Sequence, residues 1–498
     1  MRNSFHYITF LISLFSFSQT TNLKVLESAE FKDKVKSEEV ISMHSTSLNL
    51  TAVIRNSKKN LMFDVFNESL DRVNSILVPI EKKERVYGDL AFNNTMKVFT
   101  VFSSSKRERV INCYEFDIIS GEHKKIELFK ANVDKNRSLF SGNNKRETGL
   151  AMSPNGQYFV VSTDNIKKNS NSYTLHVFNS NTLSLIYKKT FQENLEKFYE
   201  ANDLSIDDEM NVYSLGKLFV EGKKDKKGGK ANYDFVLNKI SDSNIKTTKV
   251  DFEKEAFISS LILSNIDNQI KLIGFYSDKR AGKIKGTLIF NVNTEDLTIT
   301  ENKSFKLPEN VYKDLYSETR AKKKKDNNAE LSNYYVDYVI TDAIGNTYLL
   351  AEEFYITDAY VSNGMNGGGY WLTTFHYNNV LVLKINAEGK LDWGRSIFKR
   401  AGNPSYGAFV KDNELHVILN SGKNLTEKDD GRVKVSKGWL ESTALYDIVF
   451  DEIGNVTHNK IQDNKGKTFY KPYYGIFNGE RFITISKSGG KKQFLILE

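Results

Sequence analysis

The chain has 498 residues, of which 40% are hydrophobic and 12% aromatic, so it contains enough apolar material for a large buried core. Its net charge of +8 is modest for this length, and we expect no nucleic-acid partner. A single cysteine, Cys113, excludes an intrachain disulfide, and its place in a strand-like run favours a buried structural thiol over a nucleophile.

The N-terminus has the layout of a secretory signal peptide. Arg2 supplies a positive charge, 8–17 is apolar, and Ser16 and Ser18 are small residues suited to cleavage near 18–19. The apolar core of about ten residues is too short for a bilayer span, which needs roughly 20. We therefore predict that 1–19 is removed and that 20–498 is exported to the periplasm or cell surface without a transmembrane segment. The lack of any possible intrachain disulfide in an exported chain indicates a bacterial protein.

Beyond the signal, short runs rich in Val, Ile, Phe, Tyr and Thr alternate with Asn, Asp and Gly, which is typical of β-strands and turns. Grouped by their turns, they form units of about four strands. The units begin near Ile41, Gly88, Gly149, Asn202, Ile258, Tyr334, Ser405 and Tyr473. The last unit is too short for four strands, and 23–31 can supply the missing one. We predict an all-β fold, a single closed β-propeller of seven or eight four-stranded blades whose N- and C-terminal strands share the closing blade.

A short phrase recurs between these strands. Residues 207–213 read DDEMNVY, which is echoed by DAIGNTY at 342–348 and DEIGNVT at 451–457, and more loosely by SPNGQYF at 153–159. Each is a polar tight turn between apolar segments, and self-similarity of this kind indicates a repeat architecture. Helix signals are scarce: only 192–199 and 311–321 favour short helical connections.

The segments 150–161 (LAMSPNGQYFVV) and 175–183 (LHVFNSNTL) resemble the inner and outer halves of bacterial WD40-like propeller blades, although the Gly-His and Trp-Asp signatures of true WD40 repeats are missing. A second resemblance rests on 345–355 (GNTYLLAEEFY) and 379–393 (NVLVLKINAEGKLDW). These segments look like large secreted propeller-like proteins of Bacteroidetes-type bacteria. The resemblance implies fold and location, and it supplies no catalytic residues.

Signatures of chemistry are mostly absent. No histidines stand at a metal-ligand spacing, and no phosphate or dinucleotide loop occurs, so we expect neither a metal nor a cofactor. His176 and His416 fall inside strand patterns, where structural histidines are common. Glu352 and Glu353 are adjacent on a predicted strand and therefore point to opposite faces, which prevents joint acid–base action unless the strand is irregular.

The most suggestive segment for binding is a glycine- and aromatic-rich insertion at 355–379. Aromatic side chains with polar tips are favoured in recognition, and the candidate ligand-binding residues are Tyr355, Tyr360, Tyr370, Trp371, Phe375 and Tyr377. The alternative is that these rings pack back on the propeller. Tyr470, Tyr473 and Tyr474 are interpreted as strand and core, and the lysine tracts at 223–227 and 322–325 as solvated loop tips.

Together these features favour an exported, non-catalytic recognition or scaffold propeller with a protein or glycan partner. The alternative is an exported carbohydrate-active or other hydrolase that uses carboxylates in the central channel. A third interpretation is a surface protein held at the cell envelope by its basic loops.

Overall fold

A computed structural model describes residues 22–33, 39–57, 59–133, 149–167, 170–191, 197–252, 256–266, 269–279, 282–362, 369–403, 405–435, 441–464, 469–487 and 491–498. The predicted signal peptide lies outside these ranges, so its cleavage stays a prediction. Within them no helix is long and apolar enough to cross a bilayer.

The described chain forms eight antiparallel sheets arranged as the blades of a propeller, as predicted. The chain first enters β1 (Val25–Glu27) and β2 (Phe31–Lys32). Blade 1 is β3 (Glu39–Ser45), β4 (Thr51–Ser57), β5 (Asn60–Phe66) and β6 (Arg72–Pro79). Blade 2 is β7 (Arg85–Phe92), β8 (Thr95–Phe102), β9 (Glu108–Asp117) and β10 (His123–Asn132). Blade 3 is β11 (Leu150–Met152), β12 (Tyr158–Lys167), β13 (Ser170–Asn179) and β14 (Leu185–Phe191).

The next two blades carry small additions between their second and third strands. Blade 4 is β15 (Tyr199–Ile206) and β16 (Val212–Phe219), a hairpin of β17 (Lys226–Lys227) and β18 (Lys230–Ala231), then β19 (Tyr233–Ile240) and β20 (Ile245–Lys249). Blade 5 is β21 (Phe257–Ile266) and β22 (Gln269–Ser277), the short β23 (Lys283–Ile284), then β24 (Gly286–Val292) and β25 (Ile299–Lys306). The connection to blade 6 contains α1 (Glu309–Leu315), α2 (Glu318–Asp326) and β26 (Leu331–Ser332), which pairs with β23.

The last three blades include the longest strands. Blade 6 is β27 (Tyr334–Thr341), β28 (Thr347–Ser362), β29 (Gly369–Ile385) and β30 (Leu391–Lys399). Blade 7 is β31 (Tyr406–Lys411) and β32 (Glu414–Gly422), the additions β33 (Thr426–Glu427) and β34 (Val433–Val435), then β35 (Thr443–Phe450) and β36 (Val456–Asp463). Blade 8 is β37 (Phe469–Tyr470), a 3-10 helix (Pro472–Tyr474), β38 (Ile476–Phe477), β39 (Phe482–Lys487), β40 (Lys491–Lys492) and β41 (Phe494–Leu497).

Both ends of the chain build blade 8, as predicted from the short last unit. β1 pairs with β41 in the register Val25 to Leu497, so the N-terminal strand is the outermost strand of the closing blade. β2 then pairs with β40, and the segment reaches Asp33. The Asp33 carboxylate binds Arg55 of blade 1 at 2.9 Å and also Lys492 of blade 8. The N-terminal segment that ends at Asp33 therefore links blade 8 to blade 1 through these ion pairs.

The hydrophobic core lies in the seams between blades. Eight clusters of buried apolar side chains are present among the described residues, one for each pair of neighbouring blades. The seam between blades 8 and 1 joins Ile483 and Phe494 to Val53 and Phe66. Because this seam is as apolar as the others, burial of apolar surface stabilises a closed ring over an open array.

The recurring phrase of the sequence is one hydrogen-bonded turn. In the turn at 342–346, the Asp342 carboxylate accepts from the backbone N–H of Ile344 at 3.1 Å and of Asn346 at 2.8 Å, and from the Asn346 side-chain amide at 2.8 Å. The turns that begin at Asp207 and Asp451 make the same three bonds. The fourth residue of the turn has positive φ, +89° at Gly345, which explains the glycine in the phrase.

The connection between blades 5 and 6 differs from its prediction in part. The helical signal at 311–321 corresponds to two helices, because α1 ends before Tyr316 and α2 continues to Asp326. Val311 and Leu315 of α1 are buried in the seam of blades 5 and 6. The lysine tract 322–325 lies within α2 and not in a loop tip, since lysine is a good helix former. The other tract is exposed and ends in the β17–β18 hairpin. Of the predicted helix 192–199, residues 192–196 lie outside the described residues and Tyr199 begins β15.

Candidate functional site: the insertion face and its central pocket

Among the described residues, the additions to the blades lie on the same face of the ring. Successive strands of a blade are antiparallel, so turns between first and second strands share a face with turns between third and fourth strands. The opposite face carries the connections between second and third strands and the connections from one blade to the next. We call this opposite face the insertion face. It carries the β17–β18 hairpin, α1, α2, the projecting ends of β28 and β29, β33, β34 and the 3-10 helix.

A pocket of about 640 Å³ lies where the first strands of blades 1 and 2 begin, beside the 3-10 helix of blade 8. First strands begin at the insertion face and are the innermost strands of the ring, so the pocket is at the central end of that face. It is lined by Val40, Ile41, Ser42, Met43, Asn56, Glu84, Arg85, Val86, Tyr87, Gly88, Asp89, Tyr473, Tyr474, Gly475 and Ile476. Its volume lies within the range of about 300–1,000 Å³ typical of ligand sites.

One wall of the pocket is aromatic. Tyr473 is 46% exposed, and its ring lies edge-on to Tyr474 with centroids 5.3 Å apart. The Lys471 ammonium lies 5.3 Å from the centre of the Tyr474 ring. The interpretation of these tyrosines as strand and core is correct for Tyr470, which is fully buried, and wrong for Tyr473 and Tyr474. They belong to a 3-10 helix because Pro472 cannot donate to a sheet ladder.

The wall formed by blades 1 and 2 contains several polar side chains and is shaped by β-bulges. In blades 1 and 2 the first strand carries one extra residue, Ile41 and Tyr87 respectively, and both residues line the pocket. An extra residue bends the strand and redirects side chains. On this wall the Ser42 hydroxyl donates to the Asp89 carboxylate across the blade 1–2 boundary. Burial raises the pKa of Asp89, although the Ser42 hydrogen bond opposes the shift.

Asn56, on the second strand of blade 1, supplies an acceptor that nothing in the described protein satisfies. Its Oδ1 is buried and has no hydrogen-bond partner. A buried acceptor without a partner costs about 1–3 kcal/mol. The great majority of such atoms in proteins are paired, and Asn56 is one of the residues around the pocket.

Glu84, the other pocket carboxylate, is fully engaged by the protein. It accepts hydrogen bonds from the Thr100 hydroxyl, the Asn112 amide at 2.8 Å, the Tyr114 hydroxyl at 3.1 Å and the Glu81 backbone N–H at 2.7 Å. Burial alone would raise the pKa of Glu84. The hydrogen bonds, together with the Lys125 ammonium 3.6 Å away, outweigh burial and hold this pKa below its usual range. Glu84 is therefore a structural anion and not a proton donor.

Over its described residues the aromatic insertion is a paired hairpin. Strands β28 and β29 stay in register as far as Ser362 opposite Gly369. Phe375 is 47% exposed opposite Ile356, Tyr355 stacks on His376 with centroids 4.5 Å apart, and Tyr377 contacts Phe354.

Of the six candidate ligand-binding residues, the side chains of Tyr360, Tyr370 and Trp371 lie outside the described residues. In backbone register Tyr360 is opposite Trp371, and Tyr370 is opposite Val361. The remaining three, Tyr355, Phe375 and Tyr377, do not line the central pocket. Their role in binding stays a prediction.

The other groups singled out in the sequence have structural partners. The strand is irregular between Glu352 and Phe354, yet Glu352 pairs with buried Lys399 at 2.7 Å while Glu353 accepts from the Asn379 amide at 2.7 Å. Burial raises the pKa of Glu353. Each carboxylate thus has its own partner, and the two do not form an acid–base pair.

The two strand histidines and the cysteine are internal, as predicted. His176 stacks on Phe129, and His416 contacts the buried Asp447 carboxylate at 3.0 Å. Burial raises the pKa of Cys113 to about 12, so the thiol is not a nucleophile at neutral pH. Across the described ranges no group of three His, Cys, Asp or Glu side chains could hold a metal ion.

No protein-family profile and no curated protein sequence matches the chain. Among solved structures it is similar to an acylaminoacyl peptidase from Pyrococcus horikoshii, with 10% identity, a TM-score of 0.37, and coverage of 90% of this chain and 57% of that one. The β-propeller domain of the Trilobed protease from Pyrococcus furiosus has 10% identity, a TM-score of 0.37, and coverage of 86% and 100%. Dipeptidyl peptidase 4 from Porphyromonas gingivalis has 11% identity, a TM-score of 0.39, and coverage of 91% and 65%.

This chain therefore spans less than two thirds of the two complete peptidases. Similarities of this size carry no argument about activity.

Proposed function

We propose that this protein is an exported, non-catalytic recognition propeller that binds a protein or glycan partner on its insertion face. The observation that carries the proposal is the central pocket, which is lined by the exposed Tyr473 together with polar side chains such as Ser42 and Asp89. A rigid ring with additions gathered on one face suits recognition, because the scaffold holds the binding groups in place.

A binding role accounts for the pocket groups better than a catalytic one. A carboxylate pair that cleaves glycosides needs one acid free to move a proton and a second as base or nucleophile. Glu84 cannot serve, because protein donors engage both of its oxygens. The proposal therefore treats the pocket as a site that holds a ligand unchanged.

One observation favours the alternative of a hydrolase. Asp89 lines the pocket, and burial raises its pKa, a shift that is common for catalytic acids. A hydrolase of this kind would use Asp89 as general acid. Asp89→Asn would then abolish turnover while a bound ligand is retained.

The test is a thermal-shift screen of the mature protein against oligosaccharides and peptides, with chromatography of each incubated ligand. We expect a selective ligand that raises the unfolding temperature and is recovered intact, since ligand binding to the folded state alone stabilises it. Tyr473→Ala should abolish the shift, whereas Ile453→Ala, at an exposed residue on the opposite face, should not. Cleavage of the ligand that Asp89→Asn abolishes would replace the proposal with the hydrolase.

A further inference from the structure

The two faces of the ring differ in charge. In the described turns of the face opposite the insertion face, exposed Asp and Glu predominate, and the exposed bases are Lys24 and Lys390. Over the described connections of the insertion face, exposed Lys and Arg outnumber exposed Asp and Glu. The modest net charge of +8 is the sum of these opposed contributions, and the insertion face is the basic side of the ring.

Two additions hold the densest positive charge of this face. The first is the segment 220–232, which we call the basic hairpin segment; it includes β17 and β18 of blade 4 and exposes five lysines between Lys223 and Lys230. The second is α2, between blades 5 and 6, which carries Arg320 and the lysines 322–325. Both additions present their cations to the same side of the ring.

The protein neutralises only part of this charge. Lys227 pairs with Glu221, and Lys325 pairs with Glu309. Within the described structure, the exposed cations of the two additions with neither an ion pair nor an aromatic contact are Lys224, Lys226, Lys230, Arg320, Lys322 and Lys323. Clustered like charges repel one another, so an anion placed among them would be attracted by several cations at once.

The composition of the two additions disfavours a packed protein interface. All but one of these unpaired cations are lysines, which are depleted in protein–protein interfaces, whereas arginine and aromatic residues are enriched there. Lysine is a compact point charge without the planar fork of arginine. In α2 the buried residue is Ala321 and the remaining side chains are polar, so the helix offers no apolar centre for a partner to cover.

The same composition disfavours a lipid surface. Stable attachment to a bilayer takes a second signal besides a polybasic patch, such as an inserted apolar helix face or an acyl chain. Neither α2 nor the basic hairpin segment has an apolar face, so these additions would supply only the electrostatic part of the attraction.

An acidic polysaccharide meets the remaining conditions. It is a hydrated linear chain with repeated anionic groups, and it can contact point charges on two separate additions without packing against an apolar centre. Its rings also limit the conformational freedom that the chain loses on binding. We propose that the insertion face binds an acidic polysaccharide, whose anionic groups lie among the unpaired cations of α2 and the basic hairpin segment. This inference rests on the proposed function, because it names the class of partner that the same face recognises.

The test compares ligands that differ in charge or in chain chemistry. The mature protein is titrated by calorimetry, at about 50 mM salt, with polygalacturonate oligomers, their neutral methyl esters and poly-glutamate of equal charge. We expect polygalacturonate to bind at least about tenfold more tightly than the other two, because the esters lack the charge and the peptide loses more freedom. Raising the salt to about 200 mM should weaken binding at least about tenfold.

Paired substitutions locate the contact. Lys322→Gln with Lys323→Gln, on α2, should weaken the binding of polygalacturonate about three- to tenfold. Lys224→Gln with Lys226→Gln, in the basic hairpin segment, should act similarly. All four side chains are exposed, so the unfolding temperature of the free protein should stay unchanged.

The matched control removes two charges from other surfaces. Lys188, on the outer strand of blade 3, and Lys390, in a turn of the opposite face, are both exposed. Lys188→Gln with Lys390→Gln should leave the affinity for polygalacturonate unchanged. If this pair weakens binding as much as the other two pairs, or if the neutral esters bind as well as the acid, the inference is wrong.

The remaining outcomes separate this inference from the proposed function. Tighter binding of poly-glutamate would replace the polysaccharide with an acidic protein and leave the recognition function standing. Tighter binding to vesicles of phosphatidylglycerol and phosphatidylcholine would replace both proposals with attachment to a lipid surface. If a neutral ligand binds and Tyr473→Ala abolishes that binding, while polygalacturonate does not bind, only this inference fails. If no partner binds, both fail.

Discussion

Glu84→Gln is expected to destabilise the boundary between blades 1 and 2. Two donors, from Thr100 and Asn112, share one carboxylate oxygen, and two others, from Tyr114 and the Glu81 backbone, share the second. A glutamine keeps one oxygen and replaces the other with an NH₂ group. Whichever way it is oriented, the hydroxyl beside the NH₂ group can rotate to accept from it, but one N–H donor, of Asn112 or of the Glu81 backbone, loses its acceptor.

An unsatisfied buried donor costs about 1–3 kcal/mol, so the free energy of unfolding should fall by about that amount. Unfolding entropy of about 2.1 cal/mol/K per residue makes 1 kcal/mol worth about 1 °C in a chain of this size. The unfolding temperature, followed by differential scanning calorimetry at pH 7, should therefore fall by about 1–3 °C. The matched control is Glu81→Gln, whose side chain is largely exposed, and it should change stability by less than about 0.5 kcal/mol.

The pH dependence of the free energy of unfolding tests the same account of Glu84. Since the folded protein holds the pKa of Glu84 below its ordinary value of 4.5, this carboxylate stabilises the protein fully above pH 4.5. That stabilisation is lost as the pH falls through the folded-state pKa. The difference between the wild type and Glu84→Gln should narrow below about pH 4.5. A variant as stable as Glu81→Gln at pH 7, or a difference that widens in acid, would refute this account of Glu84.

Two further predictions concern the turns and the cysteine. Gly345 has a φ of +89°, so Gly345→Ala should lower the free energy of unfolding, measured by urea titration, by about 1–2 kcal/mol. The control Gly402→Ala should not lower it, because a Cβ at Gly402 would meet nothing closer than 4.0 Å. Equal effects of the two substitutions would contradict the turn argument. Cys113, with a pKa raised to about 12, should resist a thiol reagent at pH 8 until the protein is unfolded; prompt labelling of the folded protein would show that this thiol is accessible.

Much of the ring could be predicted because its signals are local. The eight predicted unit starts, such as Ile41, Gly149 and Tyr334, lie within a few residues of the first strands of the eight blades. Alternating apolar residues and polar turns set strand boundaries over four to ten residues at a time. The shortage of strands in the last unit then indicated a shared closing blade, which the pairing of Val25 with Leu497 confirms.

The pocket could not be predicted in the same way. It joins Ser42, Asn56 and Asp89 to Tyr473, almost 400 positions further along the chain, and none of these residues is unusual in its local sequence. One local signal was available, because Pro472 precedes the two tyrosines and argues against a regular strand there. Use of that signal would have predicted that the two tyrosine rings lie outside the sheet.

The sharing of blade 8 between the two ends of the chain also determines how the protein must fold. β1 is made before the blades, yet its partner β41 includes Leu497, so β1 has no sheet to join until about 470 further residues have been synthesised. Contacts between such distant residues form slowly, because a very long loop must close before they contribute. Until then β1 and the first blade present an unpaired edge and an open apolar seam, surfaces that favour association with other chains. The protein is therefore exposed to aggregation for as long as this final closure is delayed.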